Sequence, residues 1–162
     1  VSQILTDGNT KVVFVPAVGS ITAPTVTELN AAGGVALENT LTDDGLSIEF
    51  DEGVVTGPTL ASVQDFEGPG RIKANIELTG YRDSSPSSDR MWSVMTRGTA
   101  GYLVVRTGIA ATTGWADGQK VDVYGVTCGE RRKLPVERES YEKFSIKMFA
   151  SSTYNIDSTV AA

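Results

Sequence analysis

The sequence predicts a mainly β domain with one or two flanking α-helices, and three observations predict it. Three segments alternate between apolar and polar side chains, the period-two signature of strands with one buried and one wet face. Asp-Gly pairs, which tolerate the positive φ of tight turns, stand just before three strand candidates, at Asp7-Gly8, Asp44-Gly45 and Asp117-Gly118. Helical periodicity is confined to two short stretches. The 162 residues amount to about one domain, taken as 1–162. A content of 40% hydrophobic and 21% charged residues is that of a globular chain rather than a disordered one.

Along the chain, 11–15 (Lys-Val-Val-Phe-Val) is the first strand candidate. A short helix is predicted over 24–31, with Val26 and Leu29 on one face. Residues 45–52 alternate, with Leu46, Ile48 and Phe50 inward and Ser47, Glu49 and Asp51 outward. Residues 53–70 carry Gly53, Gly57, Pro58, Gly68, Pro69 and Gly70 and read as a long loop, a length that in compact domains is usually functional or disordered. The clearest strand is 71–81. It sets Ile72, Ala74, Ile76 and Leu78 against Lys73, Asn75, Glu77 and Thr79. A helix is predicted over 86–96, capped by Ser85, with Pro86 at its first position, Met91, Trp92 and Met95 on its apolar stripe, and Gly98 ending it. Strands at 101–106 and 120–127 follow, then a basic loop at 129–137. The last alternating strand is 141–149, with Phe144, Ile146 and Met148 inward, and 150–162 reads as a C-terminal tail.

Composition removes most enzyme chemistry. The chain has no histidine, so His-dependent triads, dyads and metal sites are excluded. Cys128 is the only cysteine, which rules out an intrachain disulfide and a zinc or iron–sulfur Cys cluster. The pairs Asp43-Asp44 and Asp51-Glu52 lack the spacing of a calcium loop, and Gly68-Pro69-Gly70 lacks the Lys that would complete a phosphate loop. No catalytic residue, metal or cofactor is expected. Trp92 is expected in the core, and Trp115 is open between an exposed loop and an interface.

Net charge is −6, from 14 basic and 20 acidic residues, which argues against general nucleic-acid binding. Residues 41–70 hold seven acids and no Lys or Arg. They read either as a solvated loop or as an acidic surface meeting a basic one on another copy. Arg131-Arg132-Lys133 reads as a solvated loop or as an ionic contact with such an acidic segment. No apolar window is long enough to span a membrane, the first residues are not those of a signal peptide, and a lone cysteine fits a reducing cytoplasm.

The opening Ser2-Gln3-Ile4-Leu5-Thr6-Asp7-Gly8-Asn9-Thr10-Lys11-Val12-Val13-Phe14-Val15-Pro16 resembles the start of major tail (tail tube) proteins of long-tailed, non-contractile bacteriophages, those of actinobacterial hosts in particular. Thr25-Val26-Thr27-Glu28-Leu29-Asn30, Gly101-Tyr102-Leu103-Val104-Val105-Arg106-Thr107-Gly108, Gln119-Lys120-Val121-Asp122-Val123-Tyr124 and the ending Ala161-Ala162 resemble them too. The resemblance implies a tail-tube-type β-sandwich. Its inner sheet, four strands per subunit, closes with those of other subunits into a large barrel. It also implies hexameric rings stacked along a tape-measure protein, bounded by tail terminator and tip proteins. DNA crosses the lumen without specific binding, and no membrane is involved. The implied location is the virion tail, assembled in the host cytoplasm.

By that analogy Ser47, Glu49, Asp51, Lys73, Asn75, Glu77 and Thr79 face the lumen. The 53–70 loop, through Val54, Val55, Leu60, Asp65, Phe66 and Glu67, bridges stacked rings, and Arg131, Arg132 and Lys133 make a basic contact between subunits. A barrel of 24 strands about 4.8 Å apart and tilted about 40° has a wall about 48 Å across. Two alternatives stand beside this reading. One is a monomeric β-sandwich binding or capsid-decoration module, which needs an exposed aromatic row from residues such as Tyr81, Trp115, Tyr124 and Tyr154. The other is a hydrolase using only carboxylates, which needs two of them in one cleft.

Overall fold

The computed structural model describes residues 2–162. Seven strands and two short helices follow one another as β1 (Thr10–Val15), α1 (Val26–Leu29), β2 (Val35–Ala36), β3 (Leu41–Thr56), β4 (Glu67–Tyr81), α2 (Arg90–Val94), β5 (Ala100–Thr107), β6 (Lys120–Lys133) and β7 (Lys143–Thr159). Every pairing is antiparallel, within one sheet of order β2-β1-β5-β6-β7-β4-β3.

Strand β6 makes this one sheet into two layers. Its first half pairs with β5, from Val105↔Asp122 to Ala100↔Thr127, while its whole length pairs with β7 through three register shifts. Such shifts bend a strand and increase its twist. The sheet therefore curls, and its two ends share one core. Val12, Phe14, Leu103 and Val105 of β1 and β5 pack in the same cluster as Ala74, Ile76 and Leu78 of β4 and Ile146 and Met148 of β7. Met91 of α2 and Met95 just beyond it fill the space between. A second cluster covers the opposite side of β1, β5 and β6, where Val13, Val15, Val104, Val121 and Val123 lie under Leu29 of α1, Trp115 and Val160. These strands are buried on both faces, which is why they read as unbroken apolar runs rather than alternating ones.

The expected strands are all present, with longer bounds. Alternation holds in β4, where Ala74, Ile76 and Leu78 are buried while Lys73 and Glu77 are exposed. It weakens in β3, where Leu46 and Ile48 are only half-buried and Phe50 is 38% exposed. There Phe50 lies against the rings of Tyr124 and Tyr154, with centroids 6.4 and 5.1 Å away.

Several expectations are corrected. The 53–70 segment is not a loop throughout. β3 runs on to Thr56 and β4 resumes at Glu67, leaving 57–66 as the turn. Gly68-Pro69-Gly70 lies inside β4, Pro69 opposite Val54, where β4 has β3 as its sole partner and a missing N–H on the open side costs no ladder bond. Gly53 and Gly70 keep the backbones close, since a Cβ on Gly70 would lie 2.9 Å from the Gly53 carbonyl carbon. Asp44-Gly45 is not a hairpin turn but part of a bulge in β3 between Leu41 and Leu46. Gly45 is required there because a Cβ would lie 2.2 Å from the Thr79 carbonyl oxygen.

The other two Asp-Gly pairs do form turns, with Gly8 at φ 70° and Gly118 at φ 86°. The helix expected over 86–96 shrinks to Arg90–Val94, with Asp89 at the N-cap position in place of Ser85. Asp89 does not cap, because its carboxylate accepts from Arg82 Nε at 2.8 Å and from the Asp83 N–H. Residues 150–159, expected as tail, continue β7, and 129–133, expected as loop, end β6. Helix α1 carries a full capping box between Thr25 and Glu28.

Candidate functional site

The polar residues picked out by alternation share one face of the sheet. Ladder register lays them in cross-strand rows: Ser47–Glu77–Lys147, Glu49–Asn75–Phe149, Asp51–Lys73, and Thr79–Ser145–Arg132. Ser47, Glu49, Asp51, Lys73 and Glu77 are exposed, and Asn75 and Thr79 half-buried. Asn75 Nδ2 donates to Asp51 Oδ2 at 2.7 Å, and Arg132 Nη2 lies 3.5 Å from Glu77 Oε1. Acids and bases thus alternate across neighbouring strands, so each cation on this face has an acid beside it. Phe149, 48% exposed under the Lys147 ammonium, is the one large apolar residue in the rows; alternation within 141–149 places it here, after Met148 on the core side.

The second feature is an arm. β4 pairs with β7 only from Asn75 to Tyr81, so from Ala74 to Glu67 β3 is its sole partner. Eight residues at about 3.3 Å each carry the hairpin about 26 Å past its last β7 partner. Every residue from 51 to 67 is exposed, including Val54, Val55, Leu60, Asp65, Phe66 and Glu67. Leu60 and Val63 at the tip are as exposed as in an extended chain, at 107% and 103%. The arm thus exposes more large apolar side chains than its single strand partner can cover.

The third feature is a pair of open sheet margins. Strand β3 has β4 on one side and no strand on the other. At the far side of the same layer, β6 loses β5 after Thr127; Gly129 and Glu130 lie in a register shift, and 131–133 pair with β7 alone. The free margin of β3 carries Asp43, Asp44, Glu49, Asp51 and Glu52, and the free end of β6 carries Arg131, Arg132 and Lys133. These three cations do not project equally. The Arg131 guanidinium lies over the Trp92 ring, 4.3 Å from its centroid, and donates to the Trp92 carbonyl. Arg132 reaches Glu77, and Lys133 Nζ lies 3.4 Å from Glu142 Oε1. Trp92 stands at the edge of the core, half-buried and packed edge-on against Phe144, with its outer face a shelf for Arg82 and Arg131.

Asp43 and Asp44 sit exposed on the β3 bulge, and among the described residues no group of three or more His, Cys, Asp or Glu is placed to hold a metal. Burial pushes the Cys128 thiol up to about 11, which makes it a poor nucleophile. Burial, with Asp122 and Tyr154 nearby, raises the Tyr124 hydroxyl to about 12. Trp115 and Tyr124 are buried and Tyr81 and Tyr154 half-buried, so these four make no exposed aromatic row. Among the described residues no helix is long and apolar enough to cross a membrane.

Sequence reasoning missed Arg106. Its side chain is wholly buried beside the second cluster, its guanidinium over the Trp115 ring. It donates to the carbonyls of Ala110, Thr113 and Gly114 and to Gln119 Oε1, all at 2.8–3.0 Å, and so fixes the β5–β6 connection. The available signal was a charged residue interrupting the apolar run 102–105 one position before a polar loop.

The whole chain, residues 1–162, matches the family described as phage tail tube protein. The chain belongs to that family. Its role is structural, in the tube of a phage-type tail, and its location is the tail of a virion. Among solved structures, the tube fold is shared with a chain from the tail of an empty GTA particle, refined helically with C6 symmetry. Identity is 11%, TM-score 0.55, with 94% of this chain and 96% of that one covered. A chain from the virion of a native gene transfer agent (GTA) particle has 14% identity and TM-score 0.48 over 76% of this chain and 97% of that one. No curated protein sequence matches. Mainly β architecture with short flanking helices is thus the tail-tube fold.

Proposed function

We propose that this tail tube protein closes into rings by pairing the outer margin of β3 with the free 129–133 end of β6 on the next copy. The observation that carries this is the layer β6-β7-β4-β3, open at both margins, acidic at one and basic at the other. It has four strands, an even number, all antiparallel. A copy rotated about a ring axis therefore presents its β6 antiparallel to β3, and the ladder continues without a break in pattern. Unpaired margins of this kind recruit partners unless covered. Six copies, the symmetry of the GTA tail with the shared fold, give 24 strands and a wall about 48 Å across.

In such a ring Ser47, Glu49, Asp51, Lys73, Asn75, Glu77 and Thr79 line the bore. Their alternating charges leave no basic track for phosphate, so DNA passes without being held. The exposed arm, with Val54, Val55, Leu60, Asp65, Phe66 and Glu67, joins ring to ring. Arg131, Arg132 and Lys133 flank the β3–β6 seam, where their intrachain partners leave room for acids of the neighbouring copy. A tape-measure protein inside the bore, terminator and tip proteins at its ends, and assembly in the host cytoplasm complete the proposal.

Negative-stain microscopy of the concentrated full chain tests it. Six-membered rings or tubes are expected; particles that stay single at high concentration overturn it. In an assembled map, Glu49 and Glu77 on the outer wall would overturn the lining.

A further inference from the structure

Resting on the stacked-ring reading above, we infer that the arm of one copy docks on the β6–β7 connection, residues 134–142, of a copy in the adjacent ring. Strand direction supplies the argument. β3 descends into the arm and β4 returns from it, so the tip at 57–66 lies at one end of the layer. β6 ends and β7 begins at the other, where Lys143 pairs with Tyr81. Rings stacked facing the same way always set the first end of one against the second end of the next, a head-to-tail contact.

Both ends are built for such a contact. The tip offers Leu60, Val63 and Phe66, the last 73% exposed. The connection borders a cleft of about 520 Å³ lined by Leu134, Val136 and Tyr141. Val136 is 99% and Tyr141 82% exposed, yet Tyr141 is held edge-on against Tyr81 with ring centroids 6.0 Å apart. An aromatic fixed in place with one side open is an anchor prepared for an apolar partner. Charge agrees. Lys133 and Lys143 are satisfied by Glu142 and Glu137, whereas no ion pair forms at Arg138, nor at Asp65 and Glu67 on the arm, among the described residues.

The test uses the full chain carrying V63C together with V136C, and each single substitution as a control. Buried Cys128 stays silent under mild oxidation. Tubes of the double variant should give a ladder of disulfide-linked chains on a non-reducing gel, at least 10-fold above either single variant. V136D/Y141D should fold and form rings but shorten tubes at least 10-fold. Normal tubes from the double cysteine variant without a ladder, together with normal tubes from V136D/Y141D, overturn the docking site and leave the stacked-ring reading intact. Wild-type chain that forms no tubes removes that reading instead.

Discussion

The β1–β5–β6 half of the molecule and the β3–β4 arm differ in what covers them. The first is packed on both faces, and even its buried guanidinium is met by four oxygens. The second has a single strand partner and no packed face beyond Phe50 and Ile72. Monomer stability therefore resides in the first half, while the second is exposed surface that the proposed stacking of rings would cover.

The largest expected effect breaks the covered half. Arg106→Ala leaves the Thr113 carbonyl without a donor, takes one of two donors from the Ala110 and Gly114 carbonyls and from Gln119 Oε1, and opens a cavity under Trp115, at a cost of about 2–4 kcal/mol. Urea denaturation of the single chain measures it, and a loss under 1 kcal/mol would show that the loop is held otherwise. A smaller effect sits at α1. Glu28 accepts from the Thr25 and Gly19 backbone N–H groups and from the Thr25 hydroxyl, and the Thr25 N–H leads in holding its carboxyl below the usual 4.5. The folded value is the lower one, so this stabilisation is present above pH 4.5 and is lost as pH falls through the folded value. Glu28→Gln should cost about 1 kcal/mol at neutral pH and flatten that acid limb of the stability curve.

Cys128 probes the same half without a substitution. With its thiol near 11, labelling at pH 8 should be at least about 100-fold slower in folded than in unfolded chain; equal rates would mean this core opens freely. The smallest effect on the monomer is expected in the arm. Deleting 55–67 should change unfolding free energy by about 0.6 kcal/mol or less while abolishing tubes in the microscope. A deletion that unfolded the monomer would erase the contrast between the two regions.

The same contrast decides what was legible in the sequence. Where one face is wet and the other packed, as in 71–81, side chains alone reveal strand, face and register parity. Where ladder bonds do the holding, the side chains say little. Residues 150–159 are strand by pairing with β6, although only Tyr154, Asn155, Ser158 and Thr159 are even partly buried. The arm's Gly53, Gly68, Pro69 and Gly70 are poor strand formers, tolerated there by close backbone approach and an open side. The candidate bore residues were legible because they are the wet half of the alternation. The margins were not, because strand order is a long-range property that no local window carries.

The β3 bulge has a consequence for timing. A margin able to zip onto a neighbour is a hazard for a chain newly released from the ribosome, which meets copies of itself in every orientation. In a ring closed as proposed, Asp43 and Asp44, exposed where the strand is kinked, would set like β3 margins to repel one another. Only a neighbour arriving with its basic end first would escape that repulsion, so under the proposed pairing the kink that interrupts the strand would also screen wrongly matched copies from the growing wall.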